Sequence, residues 1–133
     1  MLKWDSSYSV HVKEFDDQHK RLIDYINLLE TSTRDNDPKE LTGKILKSLV
    51  VYTIDHFKRE EEYFRQFKYE KTEEHVGEHQ KLVKKLNEYV SLFETENKFD
   101  AGSFIDFLTT WLVNHLTGPD KEYVNCFVDN GLT

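Results

Sequence analysis

Cysteine, proline and glycine are all scarce in this chain of 133 residues, which carries one, two and five of them. The single Cys126 cannot close an internal disulfide, so a disulfide-stapled scaffold is excluded and a cytoplasmic location is the expectation. Cys126 itself reads as a small hydrophobe near the C-terminus. No apolar run approaches eighteen residues and the mean hydropathy is −0.71, which excludes a membrane-spanning helix. The opening Met1-Leu2-Lys3-Trp4-Asp5 has no apolar core, so nothing supports export. Basic charge is also in deficit, with 18 Lys and Arg against 25 Asp and Glu, a net charge of −7 and a pI near 5.3. No basic patch is available to neutralise phosphates, and nucleic acid is not an expected partner. No segment repeats at a period of twenty to fifty residues, so a solenoid is not indicated.

The chain does hold a dense set of metal-ligating side chains at helical spacing. His56 and Glu60 stand four apart, as do His75 and His79. Residues four apart lie one above the other on a helix, about 5–6 Å between Cβ atoms, so each pair can close on one ion or on two neighbouring ions. The dozen or so residues between the pairs leave room for a reversal, expected at 66–70 although no Gly or Pro marks it.

The length suits one domain, residues 1–133. Residues 1–15 lack a helical period, and Trp4, Tyr8, Val10, Val12 and Phe15 alternate as in an extended arm over a core. Asp16 or Asp17 can then cap a first helix whose inward stripe is His19, Leu22, Ile23, Ile26 and Leu29 or Glu30. Asn36-Asp37-Pro38 separates it from a second helix, about 38–67, with the stripe Leu41, Ile45, Leu49, Tyr52, Thr53, His56, Glu60 and Tyr63 or Phe64. Gly43 inside that helix costs about 1 kcal/mol relative to Ala. The third helix, about 72–94, buries His75, His79, Leu82, Val83, Leu86, Val90 and Phe93. A polar linker at 94–102 leads to a fourth with Phe104, Phe107 or Leu108, Trp111 or Leu112, and His115. Gly118-Pro119 ends it and Asp120 to Phe127 can form a short fifth segment. The fold class is all-α: an antiparallel up-down-up-down four-helix bundle with an N-terminal arm and a short C-terminal helix.

Five of the six histidines, His19, His56, His75, His79 and His115, therefore face the interior. Buried imidazoles need partners for both ring nitrogens, and five without a common ligand would leave costly unmet polarity. Glu60 and Asp120 follow candidate ligands by four and five residues and can bridge a pair of cations. Seven ligands exceed what one ion with an open position accepts, and they suit two octahedral ions. Imidazole with carboxylate favours iron over zinc, which prefers four ligands and often thiolate.

The series His19, His56-x3-Glu60, His75-x3-His79 and His115-x4-Asp120 resembles the hemerythrin family, and the bacterial hemerythrins in particular. The words Phe15-Asp16-Asp17-Gln18-His19-Lys20, His56-Phe57 with Glu60-Glu61, Trp111-Leu112-Val113-Asn114-His115, and Trp4 in the arm carry the likeness, which spans nearly the whole chain. The resemblance implies a non-haem di-iron centre that binds dioxygen reversibly, as a carrier, store or supplier of oxygen rather than an enzyme. It implies that His75, His79 and His115 hold one iron and that His19 and His56 hold the other, which keeps an open position. Glu60, Asp120 and a solvent-derived oxide or hydroxide would bridge the two. A reversible carrier needs an apolar pocket, for which Leu22, Ile23, Phe57, Trp111, Leu112 and Leu116 are the candidates. Phe64 and Lys68 depart from a frequent Met and Gly of the family, and His11 falls in the arm where a surface or outer role is expected. Asp16 could accept a ring N–H from a ligand, or cap the helix.

Other readings use fewer of these residues. An oxygen-sensing domain cut from a chemoreceptor would share the site, although a chain opening on Met1 is expected to stand alone. His75-Val76-Gly77-Glu78-His79 fits the inverted zinc-protease motif with Glu78 as base, but leaves four other ligands idle. A ferritin-like di-iron oxidase would need Glu three residues before His, and haem would need two axial ligands rather than seven; neither pattern is met. A metal-free bundle would leave the buried imidazoles unexplained. An oxygenase or signalling partner is not specified by the sequence.

Overall fold

The computed structural model describes residues 1–96 and 99–133. Four long helices, α1 (Lys13–Arg34), α2 (Lys39–Gln66), α3 (Thr72–Ser91) and α4 (Ala101–Thr117), form the bundle, followed by two short ones, α5 (Pro119–Glu122) and α6 (Val124–Asp129). α1 packs on α2 and on α4, and α2 packs on α3, so helices adjacent in sequence are neighbours around the bundle. The 28 residues of α2 reach about 42 Å at 1.5 Å per residue, long enough to bear both a hydrophobic core and a polar site at one end. No helix among the described residues is long and apolar enough to cross a membrane.

Two hydrophobic clusters hold the bundle. The larger, with Leu22, Ile26, Leu49, Leu82, Leu86, Phe104, Leu108 and Leu112, fills its length. The smaller gathers Val10, Val12, Phe15, Phe64, Tyr123 and Phe127 where the arm crosses the C-terminal helices. The five buried histidines lie between them.

The arm is fastened at both ends. The Asn27 side chain donates to the Leu2 carbonyl at 2.7 Å and accepts from its N–H at 3.1 Å. Asp16 accepts from the Val10 N–H at 2.8 Å and the Ser9 hydroxyl at 2.6 Å, and Lys121 donates to the Ser9 carbonyl. These bonds correct the expected helix start. α1 begins at Lys13 with Val12 before it, so Phe15 belongs to the helix, and neither Asp16 nor Asp17 caps it. A single turn at Ser6–Tyr8, capped by Asp5, also interrupts the extended run.

Other boundaries shift for identifiable reasons. Leu41 is 45% exposed, and Thr42, Leu46 and Val50 turn inward beside Ile45 and Leu49, a small rotation of the stripe at the start of α2. Gly43 sits where an added Cβ would lie 3.0 Å from the Phe93 ring, so its cost in helix propensity permits a close helix approach. The third helix is α-helical only to Ser91 and continues as a wider turn at Leu92–Glu96. Of the expected linker at 94–102, residues 97 and 98 lie outside the described residues. The turn between α2 and α3 falls at 67–71, with Lys68 at φ 54, in the left-handed region that a glycine would occupy without strain. The fifth segment is broken at Tyr123 into α5 and α6.

Candidate metal centre

α1 brings in His19, α2 His56 and Glu60, α3 His75 and His79, α4 His115, and α5 Asp120; each is at most 5% exposed. Two groups of donor atoms result. Glu60, His75, His79 and His115 converge on one position, and His19, His56 and Glu60 on another. Glu60 belongs to both: its Oε1 lies 3.2 Å from the Nε2 atoms of His75 and His79, and its Oε2 lies 3.2 Å from Nε2 of His56 and 3.7 Å from that of His19. Asp120 is divided in the same way. Its Oδ1 is 3.0 Å from His75 and 2.9 Å from His115, while its Oδ2 is 3.3 Å from His19.

These separations match ligands that share an ion. Two donors, each about 2.1 Å from a metal and at right angles, lie ~3.0 Å apart. The Nε2 atoms of His75, His79 and His115, with Glu60 Oε1 and both Asp120 oxygens, are buried without a hydrogen-bond partner. Unpaired buried polar atoms are costly, and here they point at common centres. The nitrogen and oxygen donors, with no thiolate, fit iron.

Electrostatics in the metal-free cluster follow the same crowding. Burial pushes the Asp120 carboxyl up, as does the Glu60 charge, yet the imidazoles of His115 and His75 outweigh both and hold it below the ordinary value. Glu60 is likewise held well below it, burial being overcome by His56, His19 and His75. Burial pulls His75 down, but Asp120 and Glu60 raise it to about 9; His79 rises for the same reason, with Glu60 and Glu61 as its partners. His56 goes down because burial dominates.

An outer layer holds the inner one. Glu61 Oε2 lies 2.8 Å from Nδ1 of His79, and Gln18 Oε1 lies 2.5 Å from Nδ1 of His56. Each acceptor places the proton on Nδ1 and frees the Nε2 lone pair. The buried Tyr123 hydroxyl donates to Glu60 Oε2 at 3.1 Å. Gln18, Glu61 and Tyr123 were not singled out by spacing. Their sequence signal is adjacency: Gln18 precedes His19, Glu61 follows Glu60, and Tyr123 lies three residues beyond Asp120. Asp16, considered for such a role, serves the arm instead. His11 stays exposed in the arm, also in the left-handed region at φ 60.

Beside His19 and His56 lies a cavity of about 20 Å³, room for one water-sized molecule. Leu22, Phe57, Trp111 and Leu112 line it, while Ile23 and Leu116 are buried elsewhere in the core and do not. Ile26, Leu49, Thr53, Leu82 and Leu108 also line it, and His115 and Asp120 reach it from the other group of donors. Phe57 stacks on His79 at 3.7 Å between centroids, and Trp111 on His115 at 4.3 Å. Glu78, the base required by a zinc-protease reading, is on the rim: its side chain is 45% exposed, 3.9 Å from Lys81.

The family described as the Hemerythrin HHE cation binding domain matches residues 10–127. The chain belongs to the hemerythrin family. A hemerythrin-like protein of Naegleria gruberi is 32% identical over 122 residues, covering 92% of this chain and 90% of its own. A bacteriohemerythrin of Methylococcus capsulatus is 32% identical over 133 residues, covering 95% and 96%. A crystal structure of wild-type hemerythrin superimposes with a TM-score of 0.88 at 31% identity, covering 95% of this chain and 97% of that one. Against this background of hemerythrin bundles, the buried His and Glu cluster marks the iron-binding end of the molecule.

Proposed function

We propose that this chain, as a single domain over residues 1–133, binds dioxygen reversibly at two iron ions and works as a carrier, store or supplier rather than as an enzyme. The observation that carries the reading is the division of Glu60 and Asp120, each of which turns one oxygen to each group of histidines. His75, His79 and His115 would hold one ion, His19 and His56 the other, and the two carboxylates would bridge them. Iron held there would supply the reversible electron transfer that dioxygen binding needs.

The protein's own part is positioning and exclusion. Gln18 and Glu61 fix ring orientation, and Tyr123 fixes the Glu60 carboxylate. Leu22, Ile26, Leu49, Phe57, Leu82, Leu108 and Leu112 would keep bulk water from the small cavity beside His19 and His56, where the Thr53 hydroxyl is already given to the Leu49 carbonyl. The expected location is the cytoplasm, where the free thiol of Cys126 would remain reduced. The test is iron stoichiometry with the visible spectrum. Ferrous loading under anaerobic conditions should give two irons per chain and a band that appears in air and disappears under vacuum. A colourless protein without stoichiometric iron overturns the reading. A sensing role for the same site would require a partner domain, which sequencing of the flanking gene would reveal.

A further inference from the structure

The two groups of ligands are backed by different chemistry. Behind His79 stands the Glu61 carboxylate, whose side chain is 16% exposed and which borders an open groove of about 690 Å³ between α2 and α3, along with Lys58, Val83 and Lys84. Behind His56 stands the neutral Gln18 amide, and among the described residues His19 has no partner for its buried Nδ1. Both backing groups accept from Nδ1, at 2.8 and 2.5 Å, so both orient the ring and fix the tautomer. Only one adds negative charge, offset in part by the exposed Arg65 guanidinium 3.7 Å from the other Glu61 oxygen. An imidazole that donates to a carboxylate carries more electron density on the opposite nitrogen than one that donates to an amide, and such outer partners raise ligand basicity.

Resting on the two-iron reading, we infer that Glu61 is a positioning residue that makes the two metal positions electronically unequal, so that the ion held by His75, His79 and His115 is the more readily oxidised. When one electron is withdrawn by an outer-sphere oxidant such as ferricyanide, the iron at His79 passes from ferrous to ferric and ferricyanide becomes ferrocyanide, with no bond to iron made or broken. The inequality does not depend on the number of ligands alone, because exchanging the backing groups should change its sign. It is also set from the surface: the carboxylate responsible lies at the edge of the groove, while every metal-facing atom is buried.

The experiment compares the wild-type chain with Glu61→Gln and Gln18→Glu, each loaded anaerobically with ferrous iron, counted for iron, and titrated with ferricyanide to the first one-electron midpoint. Glu61→Gln keeps an acceptor on His79 and removes only the charge. It should make first oxidation at least tenfold less favourable, a rise of about 59 mV for one electron. Gln18→Glu, which places a carboxylate behind both rings, should share the ferric ion between the two sides, and the exchange of Glu61→Gln with Gln18→Glu should move it to the His56 side, both read by Mössbauer spectroscopy. Glu61→Leu, which removes the acceptor altogether, should weaken Co2+ binding at one of the two positions by about 10–100-fold. Two irons retained with the Glu61→Gln midpoint unchanged, or with the ferric ion still on the His79 side after the exchange, overturn the inference. If Glu61→Gln fails to hold two irons, Gln18→Glu decides alone, and a ferric ion that stays wholly on the His79 side there overturns the inference. Fewer than two irons in the wild-type chain overturns the underlying reading, and this inference with it.

Discussion

The two flanks of the histidine layer are built from opposite materials. Toward the middle of the bundle stand Leu22, Ile26, Leu49, Leu82, Leu108 and Leu112, around a void that admits one small molecule, with the nearby Thr53 hydroxyl given to the Leu49 carbonyl. Toward the arm stand Phe15, Phe64, Tyr123 and Phe127, packed ring against ring, with one hydroxyl turned onto Glu60. Aliphatic branches leave a small dry space; aromatic plates fill space and hold a carboxylate in place. The flank that is open to a ligand and the flank that secures the donors are therefore distinct, and each can be altered without the other.

The largest effect should come from the layer between them. On the proposed two-iron reading, Glu60→Ala or Asp120→Ala is expected to reduce iron to one per chain or none by elemental analysis, and a retained pair would break the bridging assignment. Next, Phe127→Ala should cost about 3–5 kcal/mol of folding free energy by denaturant titration, with the lifetime of the oxygenated form unchanged in the protein that stays folded. Leu112→Gln should cost less, about 1–3 kcal/mol, and shorten that lifetime by bringing an N–H donor to the cavity. Equal lifetimes in the two variants would erase the contrast between flanks. Tyr123→Phe keeps the ring and loses a hydrogen bond to a charged group, a cost of about 1.5–3 kcal/mol; a wild-type melting temperature would show that the hydroxyl is idle.

Proton linkage sharpens the picture of the layer itself. In the metal-free chain His75 is raised from 6.5 to about 9, so its contribution is complete below pH 6.5 and is lost as pH rises through 9. His79 acts in the same direction, and His56, lowered by burial, opposes them. Glu60 and Asp120, held below their ordinary values, contribute at neutral pH and lose that contribution only in acid. The melting temperature of chelator-treated protein should fall between pH 6.5 and 9, and iron loading should abolish the fall. The smallest effect lies outside the layer: Lys68→Gly relieves a left-handed backbone and should stabilise by about 1 kcal/mol or less, measured in the same melts.

Periodicity disclosed the four helices and the inward placement of His19, His56, Glu60, His75, His79 and His115, because a ligand pair at four and a stripe at three and four obey the same geometry. It was weaker wherever a contact depends on how one helix is rotated against another. Ile23 and Leu116 are sequence neighbours of Leu22 and His115, yet one residue turns a helix by about 100°, and both face away from the cavity. The residues missed there follow a rule visible afterwards. Ile26 lies seven beyond His19, Leu49 seven before His56, Leu82 seven beyond His75 and Leu108 seven before His115, two turns from each ligand in the direction of the bundle's middle. Gln18, Glu61 and Tyr123 meet their partners across helices, at 38, 18 and 63 residues of separation, which no local pattern encodes. Asp16 was mistaken for a cap because an acidic residue before a stripe usually is one; here the arm claims it.

The bond from Lys121 to the Ser9 carbonyl joins points 112 residues apart and sits next to Asp120. During synthesis Ser9 leaves the ribosome early, and its clasp does not exist until residue 121 has been made. Iron offered to a nascent chain meets an unfinished ring of donors, so colour should arise late and all at once, and a protease that nicks the first dozen residues should bleach a protein whose histidines are all intact.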